Sequence, residues 1–323
     1  MPSPTVLVTS QHLVPEAQQI LHAAGASIEY MDDPVDEPAL VERLSRGPVD
    51  AIVLRGSRPI TARVLAAAQG LKIIAKNGAG VDSIDLREAA RRNVCVAVAP
   101  GANAAAVAEH AIAMMMSLAR DLSGLDRKIR RGGWEGTGYQ GRDFRASVVG
   151  ILGFGSIGRC AAQLANALGA HVVVFDPSGQ PDTFEVETDF DKFLARVDIL
   201  SLHCPLTDET RGLIGGRELG LMKPGSLIVN TARGAVIDEQ ALIDALRSGH
   251  LAGAGLDTFE VEPIVSENPL LGMDNVIMTP HIAGVTRRAA LEVATTTARN
   301  VVDFLQGRAL PAHHIVRLAE TTA

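Results

Sequence analysis

Three residues in the second half of the chain are of types that could act together on a carbonyl group. Arg233 lies in Asn230-Thr231-Ala232-Arg233-Gly234. Glu262 lies in Asp257-Thr258-Phe259-Glu260-Val261-Glu262-Pro263, and His281 in Thr279-Pro280-His281-Ile282-Ala283-Gly284. Histidine titrates near neutral pH and can give a proton to an alkoxide as it forms. A carboxylate beside it would hold the ring's orientation and favour the imidazolium. Arginine's planar fork can bind the carboxylate of a 2-keto acid and polarise its carbonyl. Singly, each has an ordinary reading: a surface arginine, a solvated glutamate, a capped histidine. Yet each follows an apolar run that reads as a strand of one sheet, at Leu227–Asn230, Gly253–Thr258 and Val276–Met278. The three are therefore expected together at that sheet's carboxyl edge.

The element that would bring a redox partner to this edge lies upstream, in SVVGILGFGSIGRCAAQLANALGAHVVVFDP, from Ser147 to Pro177. An apolar strand ends in Gly153-Phe154-Gly155-Ser156-Ile157-Gly158. A helical pattern follows, with Ile157, Ala161, Leu164, Ala165 and Leu168 on one face and Gly169 as its stop. A second strand, Val172–Phe175, ends in Asp176. Gly153 permits the tight turn, Gly155 lets a pyrophosphate approach the backbone, and Gly158 lets the helix pack closely. The N–H groups that open the helix face the pyrophosphate. Asp176 stands about twenty residues on, where a carboxylate can accept from a ribose 2′-OH and repel a 2′-phosphate. NAD is therefore expected as the cofactor, in preference to NADP.

The remaining elements must position these groups. The first hundred residues alternate short apolar runs with helical ones, which argues a parallel sheet flanked by helices. Asn77-Gly78-Ala79-Gly80 follows one of these strands, so its backbone N–H groups are candidates to hold a carboxylate. Arg55 ends a neighbouring strand and could serve the same edge. Pro100–Asn103 breaks the pattern, and a helix is expected from Ala104 to about Asp121. Arg127–Gly141 reads as a loop with a short helix. Alternation resumes after Asp176, and a last helix runs from about Arg287 to Gln306.

Bulk properties narrow the function classes. The 323 residues suggest two domains, and 47% hydrophobic content suits packed cores. A net charge of −7 argues against general nucleic-acid binding. No signal peptide or membrane-length apolar run is expected, since the most apolar helical stretch carries Glu109 and His110. Cys95, Cys160 and Cys204 are widely spaced, which suits reduced thiols in a cytoplasm and gives no metal-binding pattern.

The chain resembles the D-isomer-specific 2-hydroxyacid dehydrogenases over almost its whole length. That family includes D-3-phosphoglycerate dehydrogenase, hydroxypyruvate and glyoxylate reductases, and D-lactate dehydrogenase. The resemblance is carried by LKIIAKNGAGVDSIDL, APGANAAAVAEHAIAMMMSLAR, GILGFGSIGR, LHCPLTDETRGLIG, MKPGSLIVNTARGAVIDEQAL, GAGLDTFEVEP and NVIMTPHIAG. It implies catalytic roles for Arg233, Glu262 and His281, with His281 as acid/base in hydride transfer between NADH and a small 2-keto acid. The implied substrates are of the phosphohydroxypyruvate, hydroxypyruvate or glyoxylate class. It further implies that Ser156, Ile157, Asp176, Thr231, Ala232, Asp257 and Gly284 contact the cofactor, and that Asn77–Gly80 binds the substrate carboxylate. The implied fold is α/β with two doubly wound parallel sheets. A flavodoxin-like substrate domain would comprise residues 1–100 and 286–323, and a Rossmann NAD-binding domain residues 101–285. A homodimer through the NAD-binding domain is also implied. Departures concern the substrate. Arg55-Gly56-Ser57-Arg58-Pro59 displaces one hydroxyl of an Arg-Ser-x-Thr pattern, and Ala106 stands where many relatives carry Ser or Thr. No C-terminal regulatory domain is expected. Two competing readings share the scaffold: a dehydrogenase of a non-keto substrate such as phosphite, and an NAD-sensing corepressor.

Overall fold

The computed structural model describes residues 3–179 and 183–317. They form two compact units, one running up to Asn103 and resuming at Thr286, the other spanning Ala104–Val285. The first unit begins with β1 (Thr5–Val8), α1 (Pro15–Ala23), β2 (Ser27–Tyr30), α2 (Glu37–Ser45) and β3 (Ala51–Leu54). It continues with α3 (Ala62–Ala67), β4 (Ile73–Lys76), α4 (Leu86–Arg91) and β5 (Cys95–Ala97). The strands are all parallel, in the order β2-β1-β3-β4-β5. This is the flavodoxin-like order.

Both faces of this sheet are covered, so its inner strands are apolar throughout. Alternate residues pack to opposite sides. Leu7, Ile52, Leu54 and Ile74 join one core with α2 and α3, while Val6, Val8, Ala51, Val53, Ile73 and Ala75 join another with α1. Side-chain caps start three of the helices: Asp36, Thr61 and Asp85 accept from the N–H groups of Ala39, Val64 and Glu88. Each such cap is worth about 1 kcal/mol.

The second unit opens with α5 (Ala104–Ala119) and α6 (Leu122–Arg130). Its α/β series is β6 (Val148–Leu152), α7 (Ser156–Ala167), β7 (His171–Phe175), β8 (Glu185–Val186), α8 (Phe190–Arg196) and β9 (Ile199–Leu202). It ends with α9 (Gly216–Leu221), β10 (Ser226–Asn230), α10 (Glu239–Arg247), β11 (Leu251–Leu256) and β12 (Val276–Met278). The sheet order is β12-β11-β10-β9-β6-β7-β8, all parallel. The winding reverses between β9 and β6. In open α/β sheets a ligand crevice lies outside the carboxyl ends of the strands at such a reversal. Small residues of α5 and α7, including Ala108, Ala111, Ala161 and Ala165, let these helices lie close on one face. Phe193, Leu194, Leu242, Ile243 and Leu246 cover the other from α8 and α10.

The chain then returns to the first unit as α11 (Arg287–Leu305), capped by the Thr286 hydroxyl. This helix lies on α1, β3 and β4 and buries Val293, Ala294, Ala298 and Val301. Asn300 Nδ2 donates to the Val98 carbonyl at 2.9 Å, which ties α11 to the segment leaving β5.

The structure corrects one boundary region. The expected helix to Asp121 ends at Ala119, and Asp121 adopts a left-handed φ of +43° that turns the chain into α6. Aspartate is one of the few non-glycine residues that tolerates this conformation. The short helix expected within Arg127–Gly141 is thus the last turn of a helix that starts at Leu122, followed by a 3₁₀ turn at Gly136–Gly138. Among the described residues, no helix is long and apolar enough to cross a membrane.

Candidate active site

The glycine turn sits at the carboxyl end of β6, beside the winding reversal. Gly153 has φ +93°, and a Cβ there would stand 2.6 Å from the Cys204 amide nitrogen. A Cβ on Gly158 would lie 2.0 Å from the Gly153 carbonyl oxygen, so neither glycine is replaceable without moving backbone. At Gly155, by contrast, a Cβ would meet nothing within 4 Å. Gly155 and Ser156 are exposed, and α7 begins at Ser156 with Ile157 next. The leading N–H groups of a helix have no intrahelical partner, so this open backbone fits a pyrophosphate.

Asp176 follows β7 directly and locks the turn from the neighbouring strand. Its Oδ2 accepts from the Phe154 N–H at 2.5 Å. Its Oδ1 accepts from the Ser178 N–H at 2.7 Å, the Ser178 hydroxyl at 2.9 Å and the Gly179 N–H at 3.0 Å. Burial alone would raise this carboxyl's pKa, but those hydrogen bonds outweigh it and hold it below the ordinary value. A carboxylate fixed in this way suits a ribose hydroxyl. Thr231 Oγ1, just past β10, is buried with no hydrogen-bond partner, as is Nδ1 of His203 just past β9. Orphaned buried polar atoms at the carboxyl edge fit a polar ligand there, so the residues present suit the cofactor.

Arg233, Glu262 and His281 follow β10, β11 and β12, three adjacent strands. Nδ1 of His281 lies 2.7 Å from Glu262 Oε2. The other carboxylate oxygen, Oε1, accepts from the Phe259 N–H at 3.1 Å. Burial pushes the Glu262 carboxyl up. The His281 hydrogen bond, the Phe259 amide and the charges of His281 and Arg233 together outweigh it, and its pKa stays below the ordinary value. Arg233 is brought close by backbone packing, since a Cβ on Gly234 would fall 1.9 Å from the Phe259 carbonyl carbon. The Arg233 turn is braced by Asn230. That side chain accepts from the Ala232 N–H at 3.0 Å and donates to the Arg233 carbonyl at 2.8 Å.

His281 has φ +54°, a left-handed conformation that costs a residue of this kind about 1–2 kcal/mol. Asp257 holds the loop in this shape. Its carbonyl accepts from the His281 N–H at 2.8 Å, and its carboxyl oxygens accept from the N–H groups of Ile282 and Ala283, each at 2.9 Å. Gly284 follows at once. The carboxyl of Asp257, a residue the sequence marks for the cofactor, thus also braces this loop.

In the first unit, Arg55 and Asn77–Gly80 follow the adjacent strands β3 and β4. Arg55 donates to the His12 carbonyl at 2.8 Å. Gly78 has φ +150°, a conformation suited to glycine, and Asn77 Oδ1 is buried without a hydrogen-bond partner. Ala79 is exposed at the loop's tip. Sequence reasoning missed Lys76, which ends β4 at only 8% exposure and reaches the Gly56 carbonyl beside Arg55. A buried lysine at a strand's carboxyl end is the signal that could have marked it. It also missed Thr279 and His110. Their side chains meet at 3.0 Å across 169 positions of sequence, which no local pattern reveals.

Comparison with known proteins gives the family. Residues 112–283 match the family model described as D-isomer specific 2-hydroxyacid dehydrogenase, NAD binding domain. A D-3-phosphoglycerate dehydrogenase of Archaeoglobus fulgidus is 41% identical over 83% of this chain and 51% of its own length. A glyoxylate reductase of Thermococcus litoralis is 36% identical over 95% of this chain and 96% of its own. The crystal structure of a glyoxylate reductase from Paecilomyes thermophila superimposes with a TM-score of 0.88 at 31% identity, covering 98% of this chain and 99% of that one. The chain spans about half the length of the curated D-3-phosphoglycerate dehydrogenases that it matches. The chain belongs to the D-isomer specific 2-hydroxyacid dehydrogenase family, and the stretch 112–283 is its NAD-binding domain.

Proposed function

We propose that this protein is an NAD-dependent dehydrogenase that interconverts small 2-keto acids and D-2-hydroxy acids. The observation that carries this reading is the 2.7 Å bond between His281 Nδ1 and Glu262, on the edge of a sheet whose glycine turn fits NAD. Bound NAD supplies two-electron hydride transfer to and from the carbonyl carbon. With Nδ1 held by Glu262, the remaining nitrogen of His281, Nε2, is the one that gives its proton to the oxygen and takes it back in the reverse direction. Glu262, kept ionised by its surroundings, fixes the ring and steadies its positive form. Arg233 binds the acid's carboxylate and polarises the carbonyl. Ser156, Ile157, Thr231, Ala232 and Gly284 line the cofactor's place, and Asp176 takes its ribose.

The first unit serves as the substrate domain in this reading. Asn77–Gly80 offers backbone amides to the carboxylate, with Arg55 beside them. The relatives' names support phosphohydroxypyruvate, hydroxypyruvate and glyoxylate as the candidate class. A homodimer through the second unit is supported by apolar residues left exposed there: Met116, Leu122, Ile129 and Trp134, the last at 81%. Ile129→Asp, read by light scattering, should yield monomers.

The test is NADH oxidation with phosphohydroxypyruvate, hydroxypyruvate, glyoxylate, pyruvate and a bulky 2-keto acid. Turnover of at least one is expected, and His281→Ala should lower its kcat about 10²–10⁴-fold. Tight NADH binding with no turnover of any would reject the reading in favour of a non-keto substrate or a binding role.

A further inference from the structure

The carboxyl of Asp257 is almost wholly buried, at 1% exposure. Besides the N–H groups of Ile282 and Ala283, it accepts the hydroxyl proton of Thr279, with Oγ1 2.6 Å from Oδ1. A threonine hydroxyl has one proton to give. With that proton committed to Asp257, the contact of 3.0 Å between Thr279 Oγ1 and His110 Nε2 must be donated by the ring. His110 stands on α5, outside the loop, and its Nε2 lies 3.9 Å from Asp257 Oδ1. The strand itself does not need this hydroxyl, because the Thr279 N–H already continues the ladder to the Leu256 carbonyl at 2.9 Å. The hydroxyl adds a grip on the carboxyl that clamps Ile282 and Ala283, and between Thr279 and those amides lies left-handed His281.

We propose that Thr279 and His110 are positioning residues for His281. His110 Nε2–H holds the Thr279 hydroxyl, the hydroxyl orients the Asp257 carboxyl, and the carboxyl fixes the loop that aims the His281 ring at Glu262. Neither residue touches the reacting atoms. The inference rests on His281 being the proton donor, and its test separates the two ideas.

The experiment compares wild type, Thr279→Val, Thr279→Ser, His281→Ala and the Thr279→Val/His281→Ala double variant, with NADH and glyoxylate. Thr279→Val should lose about ten- to a hundredfold in kcat, as misplacement of a catalytic group does. The KM for glyoxylate and NADH affinity should stay within about twofold, and Thr279→Ser should recover most of the rate. The double variant should be no slower than His281→Ala, because Thr279 acts through His281. Two readouts need no turnover. In the protein without cofactor, ¹⁵N NMR should find His110 protonated at Nε2, and Thr279→Val should speed hydrogen exchange at the Ile282 and Ala283 amides. The inference fails if Thr279→Val leaves kcat unchanged, if it weakens NADH binding as much as it slows turnover, or if the double variant is much slower than His281→Ala. An Nδ1-protonated His110 or unchanged exchange also overturns it. If His281→Ala itself keeps full activity, the proton-donor assignment fails, and the NMR and exchange results still decide whether the network holds the loop.

Discussion

Arg233 and His203 stand at the same sheet edge and make opposite kinds of claim. Arg233→Lys keeps the charge but loses the planar fork. It should lower kcat/KM for the keto acid about a hundredfold while leaving the NADH dissociation constant unchanged. Equal losses in both would show that Arg233 serves the cofactor pocket. His203 concerns stability. Burial pushes its pKa down to about 4, so the folded protein favours the neutral ring. In the unfolded chain it titrates near 6.5. The stability it allows is therefore fully present above pH 6.5 and is lost as pH falls from there toward 4. Part of the residue reaches the surface, so the loss at pH 4.5 should be about 2 kcal/mol rather than the full shift. Urea unfolding at pH 7 and pH 4.5 checks this: His203→Gln should lose less than wild type, and identical losses would reject it. At this scale the sequence revealed residues whose type is itself the signal. A histidine, a glutamate and an arginine at strand ends announce themselves. His110 was visible only as a polar interruption of an apolar helix, because its meaning depends on a threonine brought to it by the fold.

Among the elements, the strand–turn–helix from β6 to α7 was the most legible, since its glycines are set by local geometry. Asp176 carries a part that the pattern does not announce. The sequence marks it as a ribose ligand; it also pins the turn through the Phe154 N–H, while three hydrogen bonds from Ser178 and Gly179 hold its carboxyl in place. Asp176→Ala should then do two things. NADH affinity should fall about tenfold as the turn loosens, and the preference for NADH over NADPH should narrow as the repelling charge goes. Fluorescence titration with both cofactors measures each effect. A variant that gains NADPH binding with no loss toward NADH would leave the pinning without consequence. The helix α6 was the least legible element. It is amphipathic yet buries none of its residues. A periodicity that reports burial against this same chain is therefore no guide to where it begins.

At the scale of the whole molecule, both sheets were legible because a parallel sheet covered on two faces writes itself as apolar runs separated by helices. The unit from Ala104 to Val285 is one continuous stretch with its own cores on both faces of its sheet. Residues 104–285 expressed alone should therefore fold cooperatively and bind NADH. A fragment without a cooperative thermal transition would show that its stability depends on the other unit.

The course of α11 sets an order of events during synthesis. The strands β3 and β4 leave the ribosome early, but the helix that covers one side of them is encoded beyond residue 286. At about 5–20 residues per second, the intervening stretch takes on the order of 10–40 s to make. Throughout that interval the second unit is still being made, and the first keeps Val53 and Ala75 without the lid that α11 provides. The part of the chain made first is thus the part finished last. A released chain ending just before Arg287 should be cut by protease in the first hundred residues and resist it in the middle.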